Sequence, residues 1–515
     1  MAAPRPGPIT VNTGRPQRGL IPTDTIEGYG GRIVDLLFTG LYEYDADGRP
    51  CPALADTLST PDNQHFTITL QPGRTFTDGT PVTAHDFVDT WNFGALSTNG
   101  QLLRSFYAPI DGYDDVAAEI PRATTLSGLR AVDDLTLTIR LCRPSADFAT
   151  RLGFLPFKPL PRAFFTSDRS AFGALPTGNG PYRLAGPITP GSRRIDLLPN
   201  PGYRGPHSAR NEGISFLLYD DLDEAYAALL DGRLDVLDAV PDSRLGTYRR
   251  DLGDRAVEKP IALNKSLAIP HDLPHFSGEE GRLRRAALSH AINRERITHQ
   301  LFHNTRSPAR DFTARSLPGF NPDLPGADVL LHRPRQAAEL WAKADELAPW
   351  SGTLTLAYNH DGGHQEWIDA VARDITDALG IDARGLALPT FKEVRDRVLD
   401  GTLGSCFRKG WRGDYPSMIS FLEPLFAQDA GANDTGYHNA EFEQWLTAAN
   451  TAATRQAEKF LARAQTVLLH DLPVIPLWDY LAVGGHGASI TAPFRWNGLP
   501  DYTQLVRTPP GDPSC

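Results

Sequence analysis

Ser405–Phe426 reads SCFRKGWRGDYPSMISFLEPLF, and at its centre stands Asp414, a carboxylate set between Trp411 and Tyr415 and followed at once by Pro416. The spacing predicts a strand over Cys406–Trp411. In such a strand Gly410, Arg412 and Asp414 point to one side, while Trp411 and Tyr415 point to the other. Pro416 ends the pairing, because proline lacks an N–H and fixes its own φ. A lone acid between aromatics, where a strand ends, suits the capture of a cationic group. An Asp before Tyr-Pro also serves as a turn residue that bonds its own backbone, and the stretch alone leaves both roles open.

Outward from this stretch, strands and helices alternate. Thr353–Tyr358 reads as a strand, and Trp367–Leu379 as a helix with Ile368, Val371, Ile375 and Leu379 on one stripe. Ile381–Leu388 is a strand again, and Thr390 with Glu393 has capping-box spacing at the start of a helix ending near Gly401. An earlier block repeats the pattern: Ile214–Tyr219 as strand, Leu222–Leu230 as helix, Val236–Val240 as strand. Arg282–Phe302 reads as one helix. Alternation of this kind implies α/β layers, in which ligands bind outside the carboxyl ends of strands, and Asp414 lies at such an end. The two blocks, roughly residues 190–260 and 350–415, bracket a candidate cleft that two lobes could close by a hinge.

Nearer the N-terminus, Ile9–Asn12 and Ile33–Tyr44 contain the first apolar segments. Between them IEGYGG (Ile26–Gly31) reads as a turn, because it lacks the GxGxxG spacing of a phosphate loop. Phe66, Ile68 and Leu70 alternate with polar residues, as do Leu135, Leu137, Ile139 and Leu141, so both runs are expected as half-buried strands. Ala84–Leu96 has a helical pattern opened by Thr83, with Asp86 nearby. PTGNGPY (Pro176–Tyr182) is a turn cluster and an expected crossing between domains.

Length and charge narrow the class. The chain has 515 residues, a prior of about three domains. Its 62 acidic residues against 51 basic ones give a net charge of −11, which argues against nucleic acid as a main partner. No run of 18 or more apolar residues is present, so no segment is expected to span a membrane. Cys51, Cys142, Cys406 and Cys515 are far apart and show no metal-ligand spacing; if all four paired, three connectivities would be open. The start, MAAPRPGPIT, has neither an apolar h-region nor a lipid-attachment cysteine. That fits either a cytosolic protein or one whose export signal precedes residue 1.

Enzyme motifs are thin: there is no GxSxG, HExxH or Walker sequence. His360 and His364 in HDGGHQE could ligate a metal, but the glycines favour a loop or helix start. The pairs Asp114–Asp115, Asp133–Asp134 and Asp220–Asp221 read as solvated caps and turns rather than as acid–base machinery. Arg412-Gly413-Asp414 spells an adhesion tripeptide by coincidence. Asn264-Lys265-Ser266 and Asn433-Asp434-Thr435 match the short glycosylation sequon.

Six segments in order carry a resemblance. They are LLFTGLYEYDADGRPCPALADT, FTDGTPVTAHDFVDTWN, TGNGPYRL, RLRRAALSHAINRERI, WRGDYPSMISFLEPLF and HDLPVIPLW. Together the chain resembles the extracytoplasmic solute-binding proteins of the oligopeptide/dipeptide-binding family (family 5), which serve ABC importers. The resemblance implies an α/β fold of the periplasmic-binding-protein type II kind, two lobes around a cleft plus an extra family-specific domain. The expected boundaries are residues 1–40, 165–258 and 485–515 for the first lobe, 41–164 for the extra domain and 259–484 for the second lobe.

By the same resemblance, Asp414 would hold a peptide's α-ammonium group, and the Gly410–Arg412 backbone would pair with the peptide as an added strand. Trp411 would be a pocket aromatic, and Glu27 and Tyr29 would match a facing strand in the other lobe. The implied partners are an oligopeptide and the permease subunits of an ABC transporter. The implied state is an extracytoplasmic monomer, membrane-associated only through a removed N-terminal anchor, with no cofactor, metal, nucleic acid or enzymatic activity. A ligand of another kind (sugar, metal chelate or specialised metabolite) on the same fold is the alternative, and a hydrolytic enzyme a more remote one. The acidic balance would favour cationic or neutral peptides through long-range steering. After Asp-Tyr-Pro this chain has Ser417-Met418, where relatives commonly carry an acidic or Asn residue and then Pro, a departure that bears on ligand length and pocket shape.

Overall fold

Parallel pairing of Ile9–Thr13 with Ile214–Leu218 sets the frame of the N-terminal half. The computed structural model describes residues 7–428 and 430–507. The chain divides into two compact units, Met1–Lys259 with Ala482–Cys515, and Pro260–Leu481. The sheet of the first unit runs Val236–Leu237, Ile9–Thr13, Ile214–Leu218, Arg194–Pro199, Tyr182–Leu184. Val11, Ile214 and Phe216 are fully buried in its core, joined by Ile33 and Val34 of the Gly28–Leu37 helix.

Within the same unit, residues 41–164 carry a separate antiparallel sheet in the order Ala55–Ser59, His65–Leu70, Thr136–Arg140, Leu129–Asp133. The period-2 residues Phe66, Ile68, Leu137 and Ile139 point into a core of their own with Phe87 and Trp91. Those two aromatics come from the Ala84–Ala95 helix, where the Asp86 carboxylate accepts the Thr83 N–H at 2.7 Å.

The strands of the second unit, two of which (Ala256–Ala268 and Val474–His486) run past its boundaries in the chain, are ordered Ala383–Leu388, Leu354–Asn359, Cys406–Arg412, Ala256–Ala268, Val474–His486, with Arg306–Pro308 paired to the last. Leu354–Asn359 lies parallel to both of its neighbours, and Cys406–Arg412 runs antiparallel to Ala256–Ala268. The Gln365–Leu379 helix buries Ile368, Val371 and Ile375, three members of the expected stripe. Burying a stripe of this kind contributes about 1.5–3 kcal/mol per large aliphatic side chain.

Three expectations change. The single helix read over Arg282–Phe302 is two, Gly278–Ala291 and Arg294–Gln300. Asn293 breaks it: its side chain caps Arg296 N at 2.9 Å and its own N–H goes to Asp374, bonds that a continuous helix would not allow. The strand expected over Val236–Val240 is confined to Val236–Leu237. IEGYGG is not a turn but the start of the Gly28–Leu37 helix, with Glu27 as its N-cap.

Candidate functional site

The Cys406–Arg412 strand is held on one edge by a register that pairs Leu263 with Arg412, Lys265 with Gly410 and Leu267 with Arg408. Just past its end, Gly413 N donates to Ala262 O at 2.9 Å. This bond makes Gly413–Ala262 a hydrogen-bonded pair, so Lys265–Gly410 falls on the non-bonded, closely spaced kind. The backbone N–H and C=O of Arg408 and Gly410 therefore face the other edge of the strand. On that edge the Leu354–Asn359 strand pairs only with Cys406 and Phe407. Gly410 thus shows its peptide groups on an edge from which the neighbouring strand has already diverged.

Trp411 lies on the opposite face, half-buried. Its indole N–H donates to Ser420 O at 2.7 Å, and its backbone N–H donates to Asn264 Oδ1 at 3.3 Å. Trp411 lines a small pocket with Asn264, Ser266, Phe312, Lys409 and Leu425. Asn264 donates in turn to Phe312 O and Thr313 O, both at 3.0 Å. A buried amide that makes these bonds cannot carry a glycan, which overturns the sequon reading of Asn264. Asn433, the other sequon asparagine, donates to Ala427 O and Tyr437 O, so its amide is likewise engaged inside the fold.

Asp414 follows Gly413, and the absence of a side chain there has a local cause. A Cβ on Gly413 would come within 2.8 Å of the Phe421 ring. Tyr415 beyond it is buried, whereas Asp414 is exposed. Gly410, Trp411, Arg412 and Asp414 are thus one strand and its exit, in the second unit.

Glu27 and Tyr29 belong to the first unit and correct the expectation of a facing strand. Glu27 is a helix cap: its carboxylate accepts Tyr29 N at 2.7 Å, Gly30 N at 2.8 Å and Gln17 N at 3.1 Å. The first-turn N–H groups that a phosphate would need are already bonded to this side chain. Tyr29 packs its ring against Gly14, where an added Cβ would lie 2.4 Å from the ring.

The sequence reading missed a group of cations around the same strand. The Lys265 side chain crosses Gly410, and a Cβ there would sit 3.0 Å from its Nζ. The ammonium lies 5.9 Å from the Tyr480 ring centroid, over which the Arg306 guanidinium also sits at 3.8 Å. Arg408 donates to Asn359 Oδ1 at 2.7 Å and lies 4.7 Å over the half-exposed Phe391 ring. Burial, with Arg408 and Arg306 beside it, brings the Lys265 ammonium down to about 8. Burial, with Lys265 and Arg408, pushes the His364 imidazole down to about 3, so His364 is neutral. His364 precedes the Gln365–Leu379 helix and its Nδ1 is 3.3 Å from the Trp367 indole N–H, the helix-start role favoured by its glycines. The signal for Arg408 was available, since it shares the period-2 stripe of Gly410. Lys265 was hidden inside a tripeptide read as a sequon.

On the face shared with Trp411, Lys409 anchors the strand. It is paired with Asp434, which also holds Arg395 at 2.7 Å, and donates to Ala432 O at 2.8 Å. Burial holds the Lys409 ammonium below its ordinary value even with Asp434 beside it.

Comparison with known proteins agrees with this architecture. Residues 49–433 match the bacterial extracellular solute-binding proteins, family 5 (middle). The periplasmic murein peptide-binding protein MppA of Escherichia coli is 27% identical over 463 residues, covering 87% of this chain and 83% of that one. The oligopeptide-binding protein OppA of Bacillus subtilis is 26% identical over 475 residues, covering 88% and 84%. Among solved structures, the unliganded open form of the murein tripeptide-binding protein MppA superposes with a TM-score of 0.86 at 22% identity, covering 98% of each chain. The fold is of the type II periplasmic-binding kind with an additional domain. The chain belongs to family 5 of the bacterial extracellular solute-binding proteins.

Proposed function

We propose that this protein is an extracytoplasmic receptor that captures oligopeptides and delivers them to an ABC transporter permease. The observation that carries the reading is the edge of the Cys406–Arg412 strand. Gly410 turns peptide groups outward where the Leu354–Asn359 strand has stopped pairing, and an exposed carboxylate, Asp414, stands just past the strand's end. A peptide added as a strand would gain main-chain hydrogen bonds there, independent of its side chains. Its α-ammonium group would pair with Asp414, and its carboxylate end would run toward Arg408. From Arg408 to the strand's last residue is about 13 Å at 3.3 Å per residue, a span suited to a peptide of about three to five residues.

The relatives support the same class, since their names speak of murein peptides and oligopeptides. A murein peptide and an ordinary oligopeptide share the α-ammonium that this reading uses. Capture by closure of two lobes, a monomeric state, location outside the cytoplasm and the absence of catalysis belong to the same proposal. No helix among the described residues is long and apolar enough to cross a membrane.

Calorimetric titration of wild type and Asp414→Asn with free and N-acetylated peptides tests the anchor. If the pair becomes buried on binding, either change costs about 3–5 kcal/mol, on the order of two to three decades in Kd. Acetylation should then hurt Asp414→Asn far less than wild type, because both changes remove one interaction. Additive effects, or a silent Asp414→Asn, would mean that Asp414 is only a turn residue.

A further inference from the structure

We propose that Lys265, flanked by Arg306 and Arg408, forms an anion subsite that takes a carboxylate of the ligand other than its terminal one, so that peptides ending in an acidic residue are preferred. The inference rests on the peptide-binding reading above and adds a substrate class to it. It starts from an imbalance of charge. Lys265 is only 8% exposed, yet it forms no ion pair among the described residues. The charged groups that act on it are Arg408 and Arg306, both cations. An ammonium buried to this degree is ordinarily matched by a carboxylate, since a lone buried charge is costly.

The surroundings explain why the counter-charge is not supplied from within. Arg306 comes from the Arg306–Pro308 strand, Arg408 from the site strand, Tyr480 from Val474–His486, and His364 from the turn before the Gln365–Leu379 helix. Among the described residues, Asp361 is the acid that acts on Arg408. Its carboxylate accepts from Asn359 Nδ2 at 2.5 Å and acts on Arg408, whose Nε donates to the same Asn359. Asp361 therefore balances Arg408 and does not figure among the groups that act on Lys265. His364 stays neutral in the positive field and contributes no charge of its own.

Position supplies the second argument. Gly410 on one side leaves room for the Lys265 side chain, on the face that also carries Arg408, and Tyr480 flanks it from the strand on the other side. A peptide terminus lying along this edge meets Arg408 with its α-carboxylate, which leaves Lys265 beside it for a second carboxylate. This local field is opposite in sign to the net charge of −11, and it reverses the expectation that cationic or neutral peptides are favoured.

The test uses two peptides that differ only in a C-terminal Glu or Gln, titrated calorimetrically into wild type and Lys265→Met. Wild type should favour the Glu peptide by about ten- to a hundredfold, the range for hydrogen bonds between charged groups. Lys265→Met should lose that preference while binding the Gln peptide at least as well as wild type does. Equal affinity of wild type for the two peptides, or a preference that survives in Lys265→Met, overturns the proposal. Should no peptide bind at all, the peptide reading fails on its own. N-acetylglutamate then decides the subsite by thermal shift: stabilisation of wild type but not of Lys265→Met sustains it, and an equal response of the two proteins rejects it.

Discussion

Replacing Asp434 with Asn should show how firmly the site strand is held, and the cost follows from the partners. The Asp434 side chain is 5% exposed and bridges Lys409, 9% exposed, to Arg395, 30% exposed. Arg395 can turn to water when the carboxylate is lost, so it contributes little to the penalty. Lys409 cannot, and would keep only its bond to Ala432 O. Removing one partner of a buried pair typically costs about 3–5 kcal/mol, and the surviving carbonyl bond places this case near 3 kcal/mol. The lesion lies next to Gly410, so peptide affinity should fall along with stability.

The pH dependence has a defined sign. Burial alone would raise the Asp434 carboxyl, but Arg395 and Lys409 outweigh it and hold the group below its ordinary value. Its stabilisation is therefore present above the unfolded value of about 4 and is lost as pH falls through the lower folded value. Urea unfolding followed by tryptophan fluorescence, on wild type and Asp434→Asn, should give a gap of about 3 kcal/mol at pH 7 that narrows in acid. The double change Lys409→Met with Asp434→Leu should recover much of the loss, because an apolar pair needs no counter-charge. A gap within about 0.5 kcal/mol at pH 7, the range of ordinary surface changes, would refute the reasoning.

Two further outcomes are expected. Burial, then the charge of Asp311, raises the Asp479 carboxyl to about 8, so the folded state holds a proton that the unfolded state releases near pH 4. Wild-type stability should fall as pH rises from about 4 to 8, and Asp479→Asn should flatten that slope in thermal melts; an unchanged slope would reject Asp479 as its source. Glu27→Ala should lower stability by about 1 kcal/mol through loss of the helix cap, read as a shift in Tm, and a neutral result would mean that water replaces the cap without loss.

What could be read in advance divides along physical lines. The period-2 residues of His65–Leu70 and Thr136–Arg140 and the stripe of the Gln365–Leu379 helix were legible because burial imposes a local period. So was the strand that leads to Asp414, whose end is marked by Gly413 and Pro416. The helix break at Asn293 was not, because it depends on Asp374, a residue 81 positions away that takes the Asn293 N–H. Glu27 was misplaced for a related reason: a carboxylate before two glycines fits a ligand contact or a cap equally well. The cap itself is visible only in the folded position of the Gln17, Tyr29 and Gly30 N–H groups.

Lys265 is the instructive omission. Nothing within several residues of it marks a site, and its meaning comes from three long-range facts. It is paired across to a glycine, it shares an aromatic ring with Arg306, and it feels no carboxylate. A glycine opposite a lysine on adjacent strands is an absence that becomes a feature only once the register is known. The acid at the strand's exit could be suspected from sequence because it directly follows the strand in the same stretch of chain. The cations Lys265, Arg306 and Arg408 are assembled from three separate segments, so their shared charge is a property of the fold.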